Sequence, residues 1–325
     1  MSGIDRIALV AEAALAPSVH NVQPARWRLT GDDGVALFED LRCRLSVGDP
    51  HANDAVISLG AAAEGMRLAA ARRGLALREV ARPADEQDLR AVAAWQLVVG
   101  GTVEPLGDVV EARRSWRGAF AAPTLMDRAM AAALVADDAA ILTDAAVLRQ
   151  VATRYDAASY YFLRDDAFRA ELLGWMRLRR RHPRWDLDGL NARAMAMGGI
   201  EAQGARIVLG PAFRLLDRLG LARPLLAEGA KIAKAAGVVL FHRPRDEAPF
   251  DSGAAFYRLW LRLEAAGFGA AVLAALADDP DAAADMARRA GLGEDRRIVS
   301  AFRIGRRPPG SVSVRARRPI GELLV

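Results

Sequence analysis

The sequence predicts an α+β protein made of two halves built alike. Three observations carry this expectation. Strand-like and helix-like runs alternate towards both ends of the chain. The stretch Ser58–Gly74 recurs without gaps as Asp251–Gly267, with Gly60, Ala61, Ala62, Leu68 and Gly74 matched by Gly253, Ala254, Ala255, Leu261 and Gly267. The composition is that of a globular protein, 52% hydrophobic and 26% charged, and 325 residues are enough for one large core or two ordinary ones.

Taken in order, Ile4–Leu15 places apolar residues at helical spacing and ends in a Pro-Ser-x-x-Asn-x-Gln-Pro turn. Trp27–Thr30 and Val35–Phe38 read as strands joined by the turn Gly31-Asp32-Asp33-Gly34. Ala52–Arg73 is a long helical pattern stopped by Gly74, which suits a left-handed C-terminal cap. Ala76–Val80 and Gln96–Val99 are expected strands. Leu125–Arg181 is expected to be largely helical, with a short strand at Ala140–Leu142, and Asn191–Ala235 gives a second helical stretch. Strands return at Val238–His242 and Ile298–Ile304, on either side of a helix from about Ser252 to Ala266. In an alanine-rich chain, matched alanines alone mean little. Two glycines bracketing helices of equal length, each followed by a strand-like run, say more and suggest a fused pseudo-dimer divided near Gly101–Asp108, with halves 1–105 and 106–325.

Composition also excludes. No apolar run reaches the length of a membrane span, and the acidic, amphipathic N-terminal stretch does not read as an export signal. One cysteine, Cys43, excludes an intrachain disulfide and fits a reducing compartment, so a cytoplasmic protein with no membrane partner is expected. The net charge is +5 and the pI near 9.9. Only Lys231 and Lys234 are lysines among the 45 basic residues, and the densest run, Arg177 to Arg184, sits in no nucleic-acid module. It reads as a solvated helix end, and no nucleic-acid partner is expected. The four histidines have no metal-ligand spacing, and no Walker or Gly-x-Ser-x-Gly sequence occurs. Gly267–Val272 resembles a dinucleotide fingerprint, but it follows a helix and lacks the third small residue.

Three segments carry candidate chemistry. Ala16–Pro24 (Ala-Pro-Ser-Val-His-Asn-Val-Gln-Pro) offers neutral donors and acceptors at close spacing, and equally serves as a helix-ending turn. In Arg113-Arg114-Ser115-Trp116-Arg117 the alternate residues would share one side of an extended chain and could grip a phosphate. Arg315-Ala316-Arg317-Arg318 repeats that arrangement. Either basic segment by itself also reads as solvated charge.

Together these segments resemble the nitroreductase family. The Ala-Pro-Ser-x-x-Asn-x-Gln-Pro turn is similar to its signature, Arg113-x-Ser115-x-Arg117 to its FMN-binding pattern, and Arg315 with Arg317 to its C-terminal basic pair. The order of these with Asp49-Pro50, Ile57–Ala62, Glu171-Leu172-x-x-Trp175 and Asp188-Gly189 resembles the Acg-like branch, whose members are duplications of the fold within one chain. The resemblance implies a nitroreductase-like fold of two fused half-domains, each a mixed, mainly antiparallel sheet flanked by helices. One FMN would be held by Pro17, Ser18, Asn21, Arg113, Arg114, Ser115, Arg117, Arg315 and Arg317, with the backbone of Val272, Leu273 and Ala274 near the ring. It also implies hydride transfer from NAD(P)H through the flavin to a nitroaromatic, quinone or similar small acceptor. A single chain would suffice, because the turn lies in one half and both basic segments in the other. The competing expectation is a protein that sequesters FMN beneath a helical lid at about 191–235, with Gly198, Gly199, Gly204 and Gly210 as hinges. No side chain is singled out as catalytic, since the flavin carries the chemistry in such enzymes.

Overall fold

The computed structural model describes residues 4–325. The chain opens with helix α1 (Arg6–Ala13), strands β1 (Ala25–Thr30) and β2 (Gly34–Asp40), helix α2 (Asn53–Ala71), and strands β3 (Leu75–Glu79) and β4 (Leu89–Val99). After a linker come α3 (Leu125–Ala132), β5 (Ala139–Leu142), α4 (Ala145–Arg164), α5 (Asp166–Trp175) and the two-residue strands β6 (Met176–Arg177) and β7 (Leu190–Asn191). Four short helices follow, α6 (Gly199–Leu209), α7 (Phe213–Arg218), α8 (Ala222–Leu226) and α9 (Gly229–Ala233). The remainder is β8 (Gly237–Pro244), α10 (Pro249–Ala265), β9 (Gly269–Val272), α11 (Ala275–Asp278), α12 (Pro280–Arg289), β10 (Arg296–Gly305) and α13 (Ile320–Leu323).

The α+β expectation is met. Two four-stranded sheets have the orders β1-β2-β4-β3 and β5-β8-β10-β9, the same arrangement written twice, with α2 and α10 in equivalent places between the second and third strands. All pairings within both sheets are antiparallel. The expected mixture is confined to isolated parallel bridges at their edges, Trp27 with Leu324 and Ser115 with Ala270, and to the separate parallel pair β6–β7.

The recurring helices are the centre of the molecule. Helix α2 is buried on nearly every side, which only a sequence of alanine, glycine and leucine permits. It packs against α10 through the matched glycines. A Cβ on Gly60 would lie 1.9 Å from the Phe250 carbonyl oxygen, and one on Gly253 would lie 2.2 Å from that of Ile57. Ile57 and Phe250 are themselves equivalent positions of the repeat, so each helix receives the other at the same spot. That is the self-complementary contact of a two-fold interface, made here within one chain. The ends match too: Gly74 and Gly267 take φ of +70° and +75°, a left-handed conformation that suits glycine. Beside this contact Glu64, nearly buried, accepts from Arg67 and Arg258, and Glu104 bridges the same two arginines.

The final segment leaves the second sheet and crosses to the first. Val325 donates its N–H to Trp27, and Leu323 joins the core built from α1, α2 and β1. Of the expected boundaries, β4 begins earlier, at Leu89 rather than Gln96, because the run Ala91–Ala94 shows no apolar alternation. Helix α12 was not anticipated at all. The run from Arg177 is not a helix end: α5 stops at Trp175, of its arginines only Arg179, Arg180 and Arg181 are exposed, and Arg177 is buried against Asp188. No helix among the described residues is long and apolar enough to cross a membrane.

Candidate active site

Between the two sheets lies a cavity of about 390 Å³, within the size range of small-molecule sites. Pro17, Ser18 and Asn21 line it from the first turn, and Ile57, Ser58 and Asp54 from α2. Arg113, Arg114, Ser115 and Arg117 line it from the linker, Arg315 and Arg317 from the C-terminal segment, and Val272, Ala274 and Asp278 from the stretch β9–α11. Segments separated by up to about three hundred residues therefore meet at one concavity. One expected residue does not. Leu273, one residue past β9, points away into the core beneath α4 and α12, and its N–H is spent on the Ala301 carbonyl at 2.7 Å.

Four of the arginines, Arg113, Arg114, Arg315 and Arg317, gather at one end, while Arg117 lies towards His20 and Glu228. Arg113 is buried, stacks 4.7 Å from the centre of the Trp260 ring and donates to the Leu15 carbonyl at 2.6 Å. Arg315 donates to the Arg113 carbonyl at 2.7 Å, and Arg317 to the side-chain oxygen of Asn21 at 2.7 Å and the carbonyls of Leu15 and Ala16 at 3.1 Å. The Arg117 side chain makes no hydrogen bond among the described residues, and the Arg114 side chain bonds only to nearby carbonyls, of Glu111 and Arg113. None of these five forms an ion pair among the described residues, although most other arginines of the chain do. The Nε atoms of Arg113, Arg315 and Arg317 are buried with no partner at all. Burial, and for Arg315 and Arg317 the charge of Arg113, lowers their pKa values, that of Arg315 to about 9. Buried positive charge without a counter-charge costs several kcal/mol per ion, so this end is built for an anion.

The first turn is held by polar contacts as well as by the packing of Val19 and Val22 against Cys43 and Leu45. The hydroxyl of Ser58 accepts from Val19 N–H at 3.1 Å, and that of Ser18 accepts from Gln23 N–H at 3.0 Å, leaving the Ser18 proton unassigned. The Asn21 amide donates to the carbonyls of Gly189 and Ala316 at 3.2 and 3.3 Å, while Gln23 donates to Leu187 and accepts from Arg318 N–H. Behind them Asp188 is fully buried and accepts from Arg177, Arg184 and Arg318. Asn21 is thus a latch between three segments, with one lone pair left for a ligand.

The far end is different in character. Asp54 and Asp278 approach each other and Asp49. Burial, then Asp49, raises Asp54 to about 6, and burial, then Asp54 and Asp49, raises Asp278 to about 8. His20, on a strained backbone at φ +42°, is pushed down to about 4, chiefly by burial and then by Arg117, so its imidazole is neutral. None of these three belonged to the expected site. His20 sat inside a segment already singled out, whereas nothing in the sequence brings Asp278 to Asp54.

The roof comes from α4 and α5, through Tyr155, Ser159, Phe162, Leu163, Phe168 and Leu172. Glu171 ties α5 to the loop before α2 by accepting from Val47 and Gly48 N–H at 3.1 and 2.7 Å. The expected lid at 191–235 is corrected here: it contributes only Ala194 to the lining, and α6–α9 form an outer layer against α4 and α5. Its pattern is helical, but that pattern does not encode which layer it joins.

The chain is similar to solved nitroreductase structures. A nitroreductase with bound FMN from Bacteroides fragilis is 12% identical, the match covering 65% of this chain and 92% of that one, with a TM-score of 0.36. The FMN-dependent nitroreductase of Mycobacterium smegmatis in complex with NADPH is 16% identical over 66% and 94%, with a TM-score of 0.35. A nitroreductase candidate from Anabaena variabilis is 10% identical over 93% and 88%, with a TM-score of 0.48. No protein-family model and no curated protein matches the chain.

Proposed function

We propose that this chain holds one FMN in the cavity and serves as an FMN-dependent NAD(P)H oxidoreductase acting on a nitroaromatic, quinone or similar small acceptor. The observation that carries the reading is the set of five arginines lining the cavity without carboxylate partners among the described residues, four of them (Arg113, Arg114, Arg315 and Arg317) gathered together. A phosphate monoester answers that need through charge-assisted, often bidentate bonds. The residues present fit FMN: Arg113, Arg114, Ser115, Arg117, Arg315 and Arg317 would take the phosphate. Pro17, Ser18 and Asn21, with the lining residues Val272 and Ala274, would meet the ring. When bound, the flavin would supply hydride chemistry between the nicotinamide and the acceptor. The chain's own part is to neutralise the phosphate, offer the Ser18 proton to an acceptor atom on the ring edge, and exclude water beneath the α4–α5 roof.

We also propose that the protein consists of two fused halves, 1–105 and 106–325, so that one chain is sufficient. The repeated sheet order and the reciprocal glycine contact support this. The test is direct. The purified protein is expected to be yellow, to release one FMN per chain on heating, and to bleach within seconds on anaerobic mixing with NADH or NADPH. FAD, or two flavins per chain, would sink the reading. A bound flavin that resists both nicotinamides would leave a sequestering protein instead.

A further inference from the structure

The outer layer formed by α7 and α8 carries a surface that the cavity does not explain. Its inner side is anchored: Phe213 is buried beneath Arg169, 3.7 Å from its ring, and Ala222 is fully buried. Its outer side presents Leu215, Leu219, Leu221 and Leu225, exposed by 62%, 60%, 49% and 60%. Exposed leucines occur singly on most proteins, but four within eleven residues form a patch. Between Pro211 and Ala227 the only charged side chains that are fully exposed are Arg214, Arg218 and Arg223. Arg214 pairs with Asp166, whereas Arg218 and Arg223 have no carboxylate partner among the described residues. The one acid of this stretch, Asp217, is half-buried and already engaged by Tyr160 and Arg164.

We propose that this helical hairpin docks on the surface of an anionic lipid bilayer. Helices of six and five residues are too short to span, but can lie flat with leucines among the acyl chains and arginines at the headgroups. Charge complementarity selects this occupant. A second copy seated face to face would bring the free Arg218 and Arg223 of both chains into one interface, where the nearby acids are already taken: Asp166 by Arg169 and Arg214, Asp217 by Arg164, and Glu228 by Lys231. A nucleic-acid backbone would pair with the arginines and leave the leucines in water. The inference departs from the sequence expectation of no membrane partner, which rested on the absence of a spanning segment. It does not depend on the flavin reading.

The test is flotation of the full-length protein with phosphatidylcholine vesicles, with and without phosphatidylglycerol, at low and high salt. Binding is expected only with the anionic lipid, and weaker in high salt. L215S/L219S is expected to lower the partition coefficient about 100-fold or more, and R218Q and R223Q about fivefold each. All these positions are exposed, so melting temperature and flavin content should not move. Failure to float, equal binding to neutral vesicles, or sensitivity to the arginines but not the leucines would each overturn the proposal. So would a dimer in light scattering that L215S/L219S dissolves, which would make this face an interface between copies.

Discussion

Arg117 and Arg317 line the same cavity but are engaged differently, and that difference separates binding from stability. The Arg117 guanidinium has no hydrogen-bond or ion-pair partner among the described residues, so Arg117→Ala should weaken FMN binding by about 10- to 150-fold, the worth of one charge-assisted hydrogen bond, while the melting temperature of the apoprotein rises because an uncompensated charge is removed. Arg317 holds Asn21 and two carbonyls at a helix end. Its removal should cost apoprotein stability as well, by about 1–3 kcal/mol. Titration of apoprotein with FMN, alongside thermal melts, distinguishes them; equal effects on both quantities would count against the assignment. Asp278 gives a pH prediction. Its pKa is raised from 3.8 to about 8, so between those values the native state binds more protons than the unfolded chain. Stability therefore falls as pH rises through that window and levels off above it, with Asp54 sharing the titration. Asp278→Asn should flatten the profile and gain most at the alkaline end, as melts across pH would report. The arginines were legible because a phosphate grip is local in sequence. Asp278, Asp54 and His20 were not, because burial and mutual approach are properties of the fold.

Among the elements, the α2–α10 contact tolerates no side chain where the two backbones meet. Gly60→Ala and Gly253→Ala each place a methyl about 2 Å from a carbonyl oxygen. Each should destabilise by about 1–3 kcal/mol or more, and the pair should be non-additive because one separation of the helices relieves both. Gly204 is the control. It lies inside α6 with nothing within 4 Å, so Gly204→Ala should stabilise by up to about 1 kcal/mol. Urea titrations would read all of these, and a destabilised Gly204→Ala would contradict the packing described. Here the sequence was most informative, since glycines at matched distances announced both the repeat and its caps. It was least informative in Asn191–Ala235. An amphipathic helix shows that one side is buried, but not whether it is buried over a cavity or against other helices. The placement of α6–α9 behind α4 and α5 follows from contacts such as Tyr160 with Phe213, which no local pattern specifies.

For the molecule as a whole, the halves are clasped twice, by the central helices and by the C-terminal segment that runs from the second sheet to β1. Neither half should unfold alone. A single thermal transition is expected in calorimetry, rising when FMN is added by the amount its affinity dictates, about 2.7 kcal/mol at a hundredfold excess over Kd. Two separable transitions would show that the halves are independent and would remove the basis for treating the cavity as one site.

That crossing segment also dictates when the site can exist during synthesis. Arg117 and Arg317 are about two hundred residues apart, so at roughly 5–20 residues per second the ribosome delivers the second basic group about 10–40 s after the first. Throughout that interval the first turn lacks the arginine that fixes Asn21, and the linker arginines wait without their companions. The ligand can therefore play no part in guiding the early half to its shape. Until the second half arrives, only its own apolar content can organise the first sheet, and the cavity acquires its affinity only when the C-terminal segment is in place.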